Sequence, residues 1–159
     1  MKNKKISFIS FEIVEGKFSA FLPIESAIEE KNDLRDRLLR ATRIYENSVI
    51  RMRLIIREIK EIKLNKKFVP AYKIWELGEV IFCLVRKLEN FSFQIDGLYA
   101  HLVRDLGVKR KWLEKIIIFR RYVSNKKAIP KKLNWGFFEK STRRKAEQLI
   151  NGFIYAENK

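Results

Sequence analysis

Two acidic residues three positions apart are the strongest hint of catalytic chemistry in this chain. Glu58-Ile59-Lys60 is followed at once by Glu61-Ile62-Lys63, which repeats a Glu-x-Lys spacing. Metal-dependent nucleases carry such a spacing on a strand beside a second acid. Here the surrounding periodicity predicts a long helix, in which charges three or four residues apart pair with each other. We therefore expect helix ion pairs at these positions and no catalytic residues.

The inventory of reactive side chains limits other chemistry. His101 is the only histidine and Cys83 the only cysteine, so no histidine cluster, cysteine zinc site or intramolecular disulfide can form within the chain. A Ser/His/acid triad has no obvious third member in this sequence. There is also no glycine-rich phosphate loop. We expect a protein that is not an enzyme, with no metal, no cofactor and no small-molecule substrate.

Charge indicates the class of partner. The 159 residues include 35 Lys and Arg against 19 acids, for a net charge of +16. A surplus of this size repels itself unless a polyanion binds, which makes nucleic acid the leading candidate. Residues 104–145 alone hold 15 Lys and Arg and three acids. The binding surface is therefore predicted in the C-terminal half.

Residues 98–117 have the apolar spacing of a helix-turn-helix. Leu102, Leu106, Val108, Leu113 and Ile116 are predicted to form the inner face, with Gly107 in a left-handed turn conformation. A second helix beginning near Lys109 would present cations to a DNA groove, where early residues meet bases and flanking cations hold phosphates. A basic helix that is only solvated is the competing interpretation.

A lysine-rich loop follows this unit over residues 124–132, and it is predicted to clamp the nucleic-acid backbone. Trp135, Phe137 and Phe138 are predicted to be core residues rather than base-stacking platforms. The predicted groove contacts are Lys109, Arg110, Lys111, Lys115, Arg120 and Arg121, and the predicted backbone clamps are Lys126, Lys127, Lys131 and Lys132.

The N-terminal part has a different pattern. Alternating apolar residues over 6–21, on either side of Glu15-Gly16, predict a short β-hairpin that must pack on another element. Residues 24–66 then predict one long helix. Its seam of apolar or small residues recurs at steps of three and four, and comprises Leu34, Leu38, Ala41, Tyr45, Ser48, Met52, Ile55, Ile59 and Ile62.

That seam has two interpretations. It could join two chains as a coiled coil, which predicts a homodimer, or the helix could lie across its own domain, which the additional apolar residues on this helix favour. After Pro70 a second helix, over residues 71–89, is apolar on most sides, and Gly78 in its middle predicts a close approach by another helix. We divide the chain into residues 1–66, the hairpin and the long helix that could dimerise, and residues 67–159, a basic helical nucleic-acid-binding domain.

Residues 72–150 resemble the N-terminal helical domain of YhcG-like proteins, in which that domain precedes a PDDEXK-type nuclease domain. The matching stretches are residues 74–81, residues 102–106 with Lys111-Trp112-Leu113 and Phe119, and Leu133-Asn134-Trp135-Gly136. The resemblance implies a helical, DNA-associated module, and a regulator or accessory factor of a mobile element or defence system. Phe137 stands where such proteins usually have His, and nuclease activity is not carried over.

The sequence thus predicts a mainly α protein with a helix-turn-helix-like unit that binds duplex DNA. The alternative is an RNA-binding or protein-interaction subunit of a larger nucleoprotein complex, and a nuclease is a further competitor. No apolar stretch reaches the roughly 20 residues that span a bilayer, and we expect a cytoplasmic protein with no membrane partner. Abundant Lys, Ile, Arg and Glu resemble a thermophile's composition.

Overall fold

The chain is mainly helical in a computed structural model that describes residues 9–14, 17–21, 31–90 and 93–152, with side chains for 36–90 and 95–152. The predicted α class is confirmed. The elements are five α-helices, α1 (Lys31–Leu64), α2 (Ala71–Asn90), α3 (Leu98–Leu106), α4 (Arg110–Tyr122) and α5 (Thr142–Ile150), and three strands, β1 (Ile9–Val14), β2 (Lys17–Phe21) and β3 (Phe93–Ile95).

The strands form one sheet in the order β2-β1-β3. β1 pairs antiparallel with β2, with Ile13 opposite Phe18, and parallel with β3, with Phe11 opposite Ile95. The sequence did not predict β3. The turn at Glu15-Gly16, the flanks of the predicted hairpin and the predicted helix start at 24–30 lie outside the described residues, so the hairpin as a whole stays a prediction.

The connection between α1 and α2 is held by backbone hydrogen bonds to a segment near residue 134. Lys66 takes a positive φ of 55° after α1 ends, and Pro70 precedes the first residue of α2. The backbone N–H of Ala71 donates to Leu133, and that of Trp135 donates to Val69, both at 2.8 Å. The start of α2 and the Leu133–Trp135 segment therefore position each other.

The seam on α1 is buried within its own chain. Its members from Ala41 to Ile59 belong to the same hydrophobic core as α2 to α5, with Ala41 and Met52 fully buried. This arrangement is the second interpretation that the sequence left open, a helix lying across its own domain. Leu34 lies outside the described side chains, and Leu38 and Ile62 are half-buried. From Ala41 to Ile59 the seam is buried and does not offer the exposed apolar surface that a coiled coil with a second chain would need.

Aromatic rings fill the core beneath α4. Phe119 contacts Trp135 edge to face with ring centroids 5.3 Å apart, and it lies 4.7 Å from the ring of Phe138. Trp135 and Phe138 are buried, as predicted, whereas Phe137 is half-buried and has the Lys145 ammonium 4.0 Å from its ring. This cluster fixes α4 on the segment that leads into α5.

Gly78 lies where α2 and α4 come closest, as predicted. A Cβ on Gly78 would stand 2.7 Å from the Cβ of Arg120 and 3.2 Å from the carbonyl oxygen of Ile116. Real Cβ atoms essentially never come that close to another atom, so only a glycine lets the two helices cross at this separation.

Candidate nucleic-acid interface

The candidate interface is built on the tight connection between α3 and α4. Gly107 has a φ of 63°, and its N–H and that of Val108 both donate to the carbonyl of Val103, at 3.0 and 3.3 Å. This is a left-handed helix C-cap of the kind that glycine favours. Lys109 is the extended N-cap of α4, which begins at Arg110, close to the predicted start. Of the predicted inner face, Val108 is half-buried and the others are buried, namely Leu102, Leu106, Leu113 and Ile116.

The start of α4 carries three positive charges at the end of a helix where positive charge is least favourable. Lys109, Arg110 and Lys111 are all exposed, no side chain caps the helix N-terminus, and its first turn holds no acid. The N-terminal end of a helix carries a partial positive charge and free N–H groups, so each cation there costs about 0.3–1 kcal/mol at low salt. An anion bound at this end would remove the repulsion.

Only one of these three cations has an ion-pair partner among the described residues. Arg110 Nε lies 3.1 Å from the carboxylate of Glu114 one turn later, and both side chains are well exposed. Pairs of this kind contribute little and exchange readily with solvent. Lys109 and Lys111 have no such partner in the part of the chain that the structure describes, and their ammonium groups are available to a phosphate.

The exposed face of α4 continues this basic surface. Lys115 is half-buried and Arg121 is exposed, at the two edges of the face of α4 that its buried residues leave open. Tyr122 is the last residue of α4, and the Arg143 guanidinium of α5 lies 5.4 Å from the centroid of its ring. The face of α4 is therefore extended by the start of α5.

Arg120 occupies a different environment from the other predicted contacts. Its side chain is 12% exposed, and its Nε donates to the Glu79 carboxylate of α2 at 2.5 Å. The guanidinium also lies over two aromatic rings, 5.0 Å from the centroid of Trp75 and 4.8 Å from that of Phe82. The structure thus uses Arg120 to join α4 to α2.

Three of the four predicted clamp lysines, Lys126, Lys127 and Lys131, line an open cavity of about 780 Å³ beside the start of α2. Lys126 is engaged at its edge, because its ammonium pairs with Glu76 and lies 5.5 Å from the Tyr72 ring. Lys132 is exposed but does not line the cavity. The lining residues are Tyr72, Lys126, Lys127, Ile129, Pro130 and Lys131.

Cations at the start of α5 were missed as site residues. Arg143, Arg144 and Lys145 fall in its first turn, which again holds no acid, and Arg143 and Arg144 are exposed. The signal was present in the sequence as three consecutive cations after Thr142. The sequence did not show that Arg143 contacts Tyr122, and this contact places the start of α5 beside the end of α4.

A buried polar contact positions α3 against α1. The Tyr45 hydroxyl donates to the Asp105 carboxylate, and Arg53 donates to the Asp105 carbonyl from Nε and from a terminal nitrogen, at 3.1 and 2.8 Å. Burial and then this hydrogen bond raise the pKa of Tyr45. Burial alone would raise the pKa of Asp105, but hydrogen bonds from Arg104 and Tyr45 outweigh it, and the pKa is lowered.

Of the two acids considered for catalysis, Glu58 forms an ion pair with Lys73 across the α1–α2 interface, rather than the pair within its own helix that the sequence predicted, and this raises the pKa of Lys73. Glu61 is exposed and has no ion-pair partner among the described residues. Cys83 is half-buried, with its sulfur 3.5 Å from the Glu79 carboxylate. Within the described ranges, no three His, Cys, Asp or Glu side chains are grouped to hold a metal.

Comparisons with protein-family models, curated proteins and solved structures find no match to this chain. The resemblance of residues 72–150 to the helical domain of YhcG-like proteins therefore stays a prediction. Among the helices that the structure describes, none combines the length and the apolar character that crossing a bilayer requires.

Proposed function

We propose that this chain is a non-enzymatic protein that binds duplex DNA through the α3–α4 unit, in the manner of a helix-turn-helix. The observation that carries the proposal is the cluster of three exposed cations at the uncapped start of α4. The helix dipole opposes those cations within the chain, and a phosphate backbone removes the opposition.

Three further features support the proposal. The turn at Gly107 is tight, and α3 is held by Tyr45 and Arg53 of α1, so the start of α4 stands on a rigid support. The exposed side of α4 carries Lys115 and Arg121 along its length. The net charge of +16 would attract any polyanion to the molecule. The three cations at the start of α4 concentrate positive charge at that end of the helix.

Binding is tested by fluorescence anisotropy with duplex DNA, single-stranded DNA and structured RNA of matched length, across a salt series. We expect the tightest binding to the duplex and a steep decrease of affinity with salt, because each phosphate contact releases counterions. Equal affinity for all three, or a preference for RNA, would contradict the proposal and favour an RNA-binding or protein-interaction subunit.

The site is tested by the triple reversal K109E/R110E/K111E. Acids at the start of a helix are favourable, so the variant keeps its helical content, and we expect at least a tenfold loss of duplex affinity. The matched control is R51E/K60E/K63E, which makes the same change in net charge at exposed positions on α1. If both triple variants lose affinity equally, the binding depends on overall charge and not on α4.

A further inference from the structure

The outward side of α1, opposite its buried seam, carries an apolar stripe. In the described part of the chain seven large apolar side chains are exposed, and four of them lie on α1: Leu39 (50%), Ile50 (55%), Leu54 (51%) and Leu64 (81%). At 100° per residue these four fall within an arc of about 80°. Ile50 and Leu54 are one helical turn apart at the centre of the stripe, and together they form an exposed apolar contact that another molecule can cover.

Five charged residues lie within the same arc. Asp36, Arg43, Glu46, Arg57 and Glu61 are exposed, and none has an ion-pair partner among the described residues. Their charges sum to −1 on a protein whose net charge is +16. The stripe therefore lacks the positive surplus of the rest of the molecule, and a second basic chain can approach it without the general repulsion.

The order of these residues is self-complementary when the helix direction is reversed. Ile50 and Leu54 lie two residues either side of Met52, and Arg43 and Glu61 lie nine residues either side. Leu39 and Leu64 are 13 and 12 residues away, and Glu46 and Arg57 are six and five. Two antiparallel copies of α1 that cross at the level of Met52 would place apolar residues against apolar residues, and Glu46 and Glu61 each near a cation.

A parallel pairing does not have this property. In register, it places Arg43 opposite Arg43 and Glu61 opposite Glu61, and like charges facing each other are unfavourable. In the antiparallel pair the twofold axis is perpendicular to the helices, so residues at opposite ends of the patch face each other and one patch is complementary to itself; most homodimers are built about a twofold axis.

We propose that the stripe of Leu39, Arg43, Glu46, Ile50, Leu54, Arg57, Glu61 and Leu64 is a homodimer interface in which two α1 helices pack antiparallel about a twofold axis near Met52. The contact lies on the opposite side of α1 from the buried seam, which explains how one helix can serve both its own core and a partner. The proposed dimer does not depend on DNA binding.

The first experiment is sedimentation velocity of the purified chain over a concentration series without nucleic acid. We expect a reversible dimer of twice the 19.1 kDa chain mass. Ile50→Glu places a charge at the centre of the apolar contact and should leave a monomer with unchanged helical content. A wild-type chain that stays monomeric throughout, or a dimer that Ile50→Glu leaves intact, overturns the proposal.

A charge swap tests the antiparallel register itself. Arg43→Glu and Glu61→Arg should each weaken the dimer at least about tenfold, because each places like charges opposite one another, and the double variant R43E/E61R should recover the wild-type dissociation constant. The matched control is Arg51→Glu, an exposed reversal on α1 that lies outside the stripe and should have no effect. A double variant that dimerises no better than either single variant overturns the register.

Discussion

Gly78 and Arg120 touch where α2 crosses α4, with the Arg120 Cβ 2.7 Å from the place where a side chain on Gly78 would begin. The near atom is the Cβ of Arg120, which is attached directly to the backbone, and not the flexible end of the side chain. It therefore cannot move aside unless α4 moves. Because the same arginine is paired with Glu79, this contact sets both the separation of the two helices and the direction in which α4 leaves the core.

Gly78→Ala should destabilise the protein although alanine is the better helix former. The gain in helix propensity is about 1 kcal/mol, whereas forcing extra atoms into a packed interface costs about 1–3 kcal/mol, and the near-contact here belongs at the upper end. We expect the free energy of unfolding, measured by urea denaturation, to fall by about 1–2 kcal/mol.

Gly136→Ala is the control for that substitution. Its added Cβ would meet only the side chain of Asn134, at 3.4 Å, an ordinary contact distance. We expect little change in stability. If Gly78→Ala were as stable as the wild type, the close crossing of α2 and α4 would be wrong.

Arg120→Met should lower stability without changing how the protein binds DNA. The substitution keeps an aliphatic chain over Trp75 and Phe82 but removes the Arg120 donor from one oxygen of the Glu79 carboxylate, whose other oxygen stays 3.5 Å from the exposed Arg86. Losing a hydrogen bond between charged groups costs about 2 kcal/mol. The salt dependence of duplex binding should match that of the wild type, because Arg120 is engaged inside the protein.

Lys111→Met provides the contrast on the same helix. Its ammonium is exposed, so this variant should keep its stability and reduce the slope of log affinity against log salt by about 0.9. If Arg120→Met reduced that slope as Lys111→Met is expected to, Arg120 would be a phosphate contact after all, as its position in the sequence predicts.

Arg120 also shows how far the sequence could predict the site. Periodicity placed the two helices, Gly107 and the start of α4 correctly, because those features depend on local spacing. It could not distinguish Arg120 from Arg121, which are adjacent and chemically identical, although Arg120 pairs with Glu79 and Arg121 is exposed. That distinction needs the position of Glu79 on another helix, and the same holds for Arg143, whose partner Tyr122 is 21 residues away.

The long helix shows the same limit for the fold. Its seam satisfied the spacing of a coiled coil and of a core helix equally well, and only the arrival of α2 and α3 on that side decides between them. Ile50, by contrast, counted in the sequence as evidence for a wide apolar face packed against the protein's own core, yet it is 55% exposed. Periodicity gives the angular positions of residues around the helix axis, but it does not show which element, if any, packs against each side of the helix.

Tyr45→Phe should reveal a contribution to stability from the Tyr45–Asp105 hydrogen bond that is lost at both low and high pH. The lowered pKa of Asp105 means that its carboxylate stabilises the fold above the unfolded value of about 3.9, and that this contribution is lost as pH falls through the lowered pKa. The raised pKa of Tyr45 means that its neutral hydroxyl stabilises the fold below about pH 10, and that this is lost at higher pH.

The difference between wild type and Tyr45→Phe should therefore be largest, about 1–2 kcal/mol, on a plateau between roughly pH 5 and 9, and should shrink on either side. Urea denaturation across this range measures it. Tyr72→Phe is the matched control, since the Tyr72 hydroxyl makes no hydrogen bond to another side chain or to the backbone within the described residues. A difference that is independent of pH would contradict the Tyr45–Asp105 contact.

The triple substitution K127Q/K131Q/K132Q should weaken duplex binding by a similar factor for every DNA sequence. These exposed lysines lie beyond α4, two of them on the rim of the cavity beside Tyr72, where they can neutralise phosphates but reach no base edge. If all three contact phosphates, the salt slope should fall by up to about 2.7, or 0.9 for each contact. The control K60Q/K63Q/K67Q removes three exposed charges around the end of α1 and should leave the slope unchanged. A change in sequence preference, or equal effects of the two triple variants, would show that the lysine loop is not a backbone clamp.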